Sequence, residues 1–482
     1  MKPFYFAKRK LQLLPAATIL VALAISLPLS AQTVTTFDAP GAGTGAFQGT
    51  YAVNVSPSGT IIGFSRDTNN ARHGFVRSTD GSFTIFDAPG AGTGNFQGTR
   101  AYGITPLGTI TGFFIDSVNA AHGYVRSARG VITVFDAPGA GTGPFPEGTF
   151  VTSPLDINAN GTIAGYYNDS AQVGHAFVRD NSGAFTSFDA PGAGTQAGQG
   201  TRAYATNSSG SITGHFTDSS NVAHGYVRSK QGVITVFDAP GAGTGATQGT
   251  FPFNSPNLIN PEGAITGYYV DSAFALHGFV RDKNGIITTF DAPGAGTGAN
   301  QGTQSFAITP GGDVTGFYFD ATFAVHGFLR DANGLITTFD LPGGGTGPFE
   351  GTYGGGFTPN GSILGVLIDA NFVNHGFLLN KDGTVTTFDA PDAGTGFDQG
   401  TLPWGINTNR AITGWYVDNA YVSHGFVRDR NGVLTEFDVP GAGTGLFQGT
   451  TVYNIAPNGA VAGYYLDSNN VFHGFVREPA GQ

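Results

Sequence analysis

The chain has 482 residues, no cysteine, and 22 Lys and Arg against 33 Asp and Glu. Without cysteine there are no disulfides, no thiol catalysis, no cysteine-ligated zinc and no lipid-modified cysteine anchor. A formal charge of −11 repels phosphate backbones and anionic lipid, so nucleic acid is not an expected partner.

Lys2, Lys8, Arg9 and Lys10 precede an apolar run over 11–29, which ends at the small residues Ser30 and Ala31. A basic start, an apolar core and a small-residue exit are the pattern of a secretory signal peptide. The run is long enough for a membrane anchor, but Pro15 and Pro28 break it and no second apolar segment follows. Residues 1–31 are therefore read as a cleavable signal and 32–482 as the mature domain. The expected location is secreted, periplasmic or in the cell envelope, with no membrane insertion once the signal is removed. The mature chain keeps 18 basic and 33 acidic residues, a formal charge of −15. Lacking disulfides, it must be held by its core, which a chain of this length supplies if it forms one body.

Two phrases recur in lockstep. Phe-Asp-x-Pro begins at Phe37, Phe86, Phe135, Phe188, Phe237, Phe290, Phe339, Phe388 and Phe437, spaced by 49 residues except for two intervals of 53. His-Gly-Phe/Tyr, or His-Ala-Phe in one copy, begins at His73, His122, His175, His224, His277, His326, His375, His424 and His473 with the same spacings. A fixed period of this length is the signature of a repeat architecture.

Within one unit, residues 100–105 lead to a Pro106-Leu107-Gly108 turn. Residues 109–116 (TITGFFID), 122–126 (HGYVR) and 131–136 (VITVFD) are rich in β-branched and aromatic residues. The pattern predicts four strands of five to eight residues joined by tight turns. No stretch shows a helical period. The connecting FDAPGAGTGxFQGT is Gly- and Pro-rich, as a structured linker is. A phosphate-binding loop would need a helix after it, and none is predicted.

Four antiparallel strands per unit are the blade of a propeller. Residues 33–38 (TVTTFD) form a fourth strand with no hairpin before it, and 473–477 a third strand with no fourth after it. The expected fold is all-β: a β-propeller of about nine four-stranded blades, closed by the N-terminal strand completing the last blade. A ring leaves no blade edge open, whereas a linear solenoid wants polar caps. Two smaller arrays are the other arrangement, but no linker separates them.

Three polar columns recur. One Asp ends the second strand: Asp67, Asp116, Asp169, Asp218, Asp271, Asp320, Asp369, Asp418 and Asp467. The His opens the third. Another Asp ends the fourth: Asp38, Asp87, Asp136, Asp189, Asp238, Asp291, Asp340, Asp389 and Asp438. In an up-down blade these positions share one rim, so His122 is expected beside Asp116 and Asp136. The columns are read as structural bridges, because buried polar groups need partners. A metal site is the sharper reading, since imidazole with carboxylates is a donor set. An Arg closes the third strand in eight units and is Leu379 in the seventh; it is read as a solvated or salt-bridging strand end.

Specialised chemistry is expected where the symmetry breaks. The two longer units differ around 148–161 and 249–263, where extra residues enter the first strand. Trp404 and Trp415 both fall in the eighth unit, and His215 is the one histidine outside the column. All three are candidate ligand-binding residues. Packing between blades is the ordinary role for Trp415 and His215, while Trp404 has the flat face that suits a pyranose ring.

On its His-Gly/Ala-Phe phrase the chain resembles the HAF family of probable extracellular repeats. His175-Ala176-Phe177 matches the family name literally, and Asn158-Ala159-Asn160-Gly161-Thr162-Ile163-Ala164-Gly165 resembles the surrounding pattern. The resemblance implies an exported bacterial repeat protein and brings no catalytic residue, metal or cofactor. The expected function is a non-enzymatic binding or scaffold module, monomeric, taking a glycan or protein at the loop-rich rim or the ring axis. The rival is a polysaccharide-active glycosidase or lyase, which needs two converging carboxylates. Glu147, Glu262, Asp313, Glu350, Asp392, Asp398 and Glu436 are the candidates outside the columns. A structural surface protein or adhesin is the third reading.

Overall fold

The computed structural model describes residues 32–151, 157–158, 161–252, 258–358 and 361–479. The expected signal segment lies outside them, as do 152–156, 159–160 and 253–257 of the two longer units. The described residues hold 36 β-strands and no helix. In the second unit the strands are Gly98–Ile104, Ile110–Ile115, Ala121–Arg126 and Ile132–Phe135. Consecutive strands pair antiparallel.

Burial explains the composition of each strand. The second is buried along its whole length, which suits a near-continuous β-branched and aromatic run covered on both faces. The fourth alternates and ends at the Asp-x-Pro, where proline has no N–H to extend a ladder. Fourth strands have four residues, and first strands of the third, fifth and seventh units only three, both shorter than expected. In the seventh unit Gly354-Gly355-Gly356 offers no side chains to pack on a pleat.

Units are linked by a single parallel contact. Gly98 of the second unit registers with Arg72 on the third strand of the first. The approach is so close that a Cβ on Gly98 would lie 2.1 Å from the Arg72 carbonyl oxygen, and its φ is +96°. The same contact between Gly49 and Phe472 joins the first unit to the ninth. The result is a closed circuit of 27 strands with nine outside it. The nine are the fourth strands, with Val34–Phe37 serving the ninth unit by pairing with Phe472–Arg477. Phe37 registers with Gly474 as Phe135 does with Gly123.

The phenylalanine of Phe-Asp-x-Pro makes each joint. Phe135 lies across its own third strand, where a Cβ on Gly123 would come within 2.4 Å of the ring. It then meets the next unit's Phe177 edge-on at 6.2 Å. All nine joints repeat this pair, at 5.8–6.3 Å. Edge-to-face pairs add to the burial of two rings.

The Arg column corrects the sequence reading. These side chains are not solvated ends: all eight are buried, from 3 to 9 % exposed. Each guanidinium sits 4.8–5.2 Å over the Phe ring of the preceding unit. A planar, weakly hydrated cation suits an aromatic face. The strand end that looks terminal in sequence lies inside a joint in space, and only the joint at Leu379 lacks the cation.

Deleting 33–38 removes Phe37 and opens the joint between the ninth and first units. It is expected to lower the melting temperature far more than deleting 479–482; equal losses in thermal denaturation would contradict closure by that strand.

Candidate functional site

The three polar columns meet at one rim. In every unit His Nδ1 lies 2.7–2.9 Å from the Asp that follows the fourth strand. His Nε2 lies 3.3–3.7 Å from Oδ2 of the Asp after the second strand. That second carboxylate is divided in its work: Oδ1 of Asp116 accepts the backbone N–H groups of Val118 and Ala120, fixing the turn into the third strand. Beneath the imidazole lies an aromatic ring in seven units, as with Phe114 under His122 at 4.8 Å.

A ring with a carboxylate at each nitrogen is best satisfied as imidazolium, donating at both. The hydrogen bond to the fourth-strand Asp, working against burial, holds His73, His122, His175, His224, His277, His375 and His473 above the ordinary value of 6.5. At His424 burial weighs most, yet Asp438 and Asp418 still raise it. Burial opposes ionisation of Asp218, Asp271, Asp320 and Asp467, but the donors around them hold each below its ordinary value. Both imidazole nitrogens already face carboxylates. A metal would have to displace an ion pair, and no cluster of three or more ligating side chains is placed for one among the described residues.

The symmetry breaks at the first strands. Those with seven residues carry a β-bulge, and the bulged residues are Val53, Tyr102, Tyr204, Phe306, Trp404 and Tyr453. A bulge re-aims its side chain out of the alternation. Here several such side chains reach a shared space, because the first strands of neighbouring units face one another: Asn454 donates to Asn54 at 2.8 Å, and Asn54 to the carbonyl of Tyr102.

The space is a cavity of about 750 Å³ lined by Tyr51, Asn54, Tyr102, Trp404, Tyr453 and Asn454 among others. Trp404 also lines a second cavity of about 410 Å³ with Phe306, Phe317 and Tyr353. It is 60 % exposed. Trp415 stands behind it, ring centroids 5.4 Å apart, and is itself half-buried. The structure therefore brings Trp404 and Trp415 together and leaves His215 elsewhere. His215 is buried between Tyr204 and Phe251, and burial, then the charge of Arg202, pulls it down to about 3. It is a neutral packing group.

Tyr102, Tyr204, Phe306 and Tyr453 were not singled out from the sequence. Their signal was an aromatic three residues after Gly-Thr, the position that Trp404 also holds. Of the carboxylates outside the columns, Glu147 and Glu350 stand where Gln48 stands in the first unit. They accept the N–H groups of Gly143 and Gly347 as Gln48 accepts that of Gly45. Asp313 accepts from Ala332 N, and Glu436 from Asp392 N.

No protein-family model matches the chain, and no curated protein matches it in sequence. Solved structures of similar shape include the prolyl endopeptidases, at 9 % identity over 79 % of this chain and 55 % of theirs, TM-score 0.40. An ancestral GH74 enzyme is similar at 13 % identity over 90 % of this chain and 60 % of its own, TM-score 0.38. BP39L lectin from Burkholderia pseudomallei is similar at 11 % over 80 % and 96 %, TM-score 0.34. The chain spans less than two thirds of the first two, and at these scores the likenesses say nothing about its function.

A His bridging two carboxylates should be costly to lose. His277→Ala is expected to destabilise the fold by about 1–3 kcal/mol, read by chemical denaturation; an unchanged midpoint would rule out the bridge. Raised histidine values contribute stability that is complete below 6.5 and is lost as pH rises through the higher folded values. The lowered Asp values act in the opposite sense, their contribution failing as pH falls below 3.8. The melting temperature should thus decline from neutral toward alkaline pH, and replacing several column histidines by Gln should flatten that decline.

Proposed function

We propose that the chain is an exported, non-enzymatic binding module of the HAF-repeat kind. In this reading its nine four-stranded units are the blades of a monomeric β-propeller, closed by the N-terminal strand. The ligand, a glycan or a protein segment, sits at the inner edge of the ring against Trp404. The observation that carries the proposal is the exposure of Trp404 in an aromatic-lined cavity, with Trp415 fixing it from behind. A large aromatic left open in a concave site is a binding anchor more readily than a core element. The rim triads support a framework role, since nine equal sites have both imidazole nitrogens occupied.

The test is a melting-temperature screen of residues 32–482 against glycans, peptides and divalent metals. A ligand at about 100 times its Kd raises stability by about 2.7 kcal/mol. Trp404→Ala is expected to abolish the shift while leaving the free protein's midpoint within about 0.5 kcal/mol of wild type. A ligand shift that survives the substitution would place the site elsewhere.

A further inference from the structure

We infer that the Trp404 site takes a neutral oligosaccharide, laid across both sides of the indole. The inference rests on the reading of that cavity as the binding site, and it adds the chemical class and the layout.

Charge is the first argument. No Asp, Glu, Lys, Arg or His lines either cavity that shares Trp404. Arg66 packs against Tyr51 at 4.9 Å without lining the space. The chain has charged hollows elsewhere, as where Asn380, Lys381, Asp382 and Arg410 line another cavity. A charged ligand entering the Trp404 site would lose its hydration and find no counter-charge, which is costly.

Polarity is the second. The lining is not an apolar slot: the phenols of Tyr51, Tyr102, Tyr453 and Tyr464 and the amides of Asn54 and Asn454 tip the aromatic walls with hydrogen-bonding groups. Flat apolar faces with polar edges match a pyranose, which has a C–H face and a rim of hydroxyls. Asn54, Asn454 and Tyr51 each use part of their capacity on one another or on the backbone, and the donor and acceptor positions left over suit sugar hydroxyls better than an apolar surface.

Layout is the third. Trp404 belongs to two cavities, the larger with Tyr453 and Tyr102 and the smaller with Phe306 and Tyr353. A single sugar needs one platform. Two adjoining ones on either side of a shared indole fit a chain of sugars, with the smaller cavity engaged only by the longer members.

The sequence supplies its own reporter, because Trp404 and Trp415 are its two tryptophans. Intrinsic fluorescence of residues 32–482 would be titrated with neutral glucose- and mannose-based saccharides from monosaccharide to hexasaccharide. Oligogalacturonate and an apolar peptide serve as the other classes. The expected result is a fluorescence change with a neutral series, affinity rising with chain length and insensitive to salt. Trp404→Ala should weaken binding by about thirtyfold or more, followed calorimetrically, with its melting temperature showing the variant folded. Phe306→Ala should weaken the hexasaccharide and spare the short sugars, and Tyr453→Ala should weaken both.

Binding of oligogalacturonate or the peptide alone, lost in Trp404→Ala, would overturn the neutral-sugar class and leave the binding site standing. Equal loss of short and long sugars in Phe306→Ala would overturn the two-sided layout. No response to any probe, in fluorescence or calorimetry, would count against both the class and the site.

Discussion

The phenylalanine of Phe-Asp-x-Pro is the contact on which the other repeated features depend. Its ring lies over the third strand of its own unit, so the residue beneath must be Gly, or Ala as at Ala176. It meets the next unit's third-strand aromatic edge-on and carries that unit's Arg on its face. Because this ring ends the fourth strand, the Asp after it is delivered to the rim, where His waits at hydrogen-bond distance. The next residue's N–H then donates to the Thr that opens the following unit, as Ala137 does to Thr149. One aromatic side chain thus sets a glycine, a cation, a carboxylate and the entry to the next repeat.

The joint between the ninth and first units shows how complete this logic is. Phe37 meets Phe75, Arg77 covers Phe37, Asp38 faces His473 and Ala39 donates to Thr50. Every element of an internal joint is present although its parts come from opposite ends of the described chain. Closure by covalently distant segments raises the cost of any local opening, since no unit can peel away without breaking two such joints. In a chain without disulfides, that is a substitute for a covalent staple. The seventh unit is the exception within this scheme. It has Leu379 for Arg and three glycines where its neighbours continue a strand.

Much of this was legible because strand period and turn chemistry are local. The spacing of two phrases marked the units, and the shared rim of His122, Asp116 and Asp136 followed from up-down strand direction alone. What was not legible depends on the neighbouring unit. The Arg at the end of the third strand reads as solvated from its own flanks, since nothing local says that another unit's Phe lies over it. The bulged aromatics were hidden for a different reason. Alternation assigns Tyr102 and Phe306 to a face by counting from Gly98 and Gly302, and a bulge after the fourth residue spoils the count. Trp404 stood out only by its residue type.

The same bulge explains why the inner edge is where a binding function can be written into this frame. A joint residue is held by several partners, so changing it disturbs the ring in one place and the rim in another. A bulged residue belongs to no ladder pair. That freedom shows in what occupies the position: Val53, Tyr102, Tyr204, Phe306, Trp404 and Tyr453 share one backbone setting but not one chemistry. The frame therefore separates two demands that usually conflict. On the proposed reading, stability is carried by columns that are nearly invariant from unit to unit, and selectivity by the bulged position, which no ladder pair fixes.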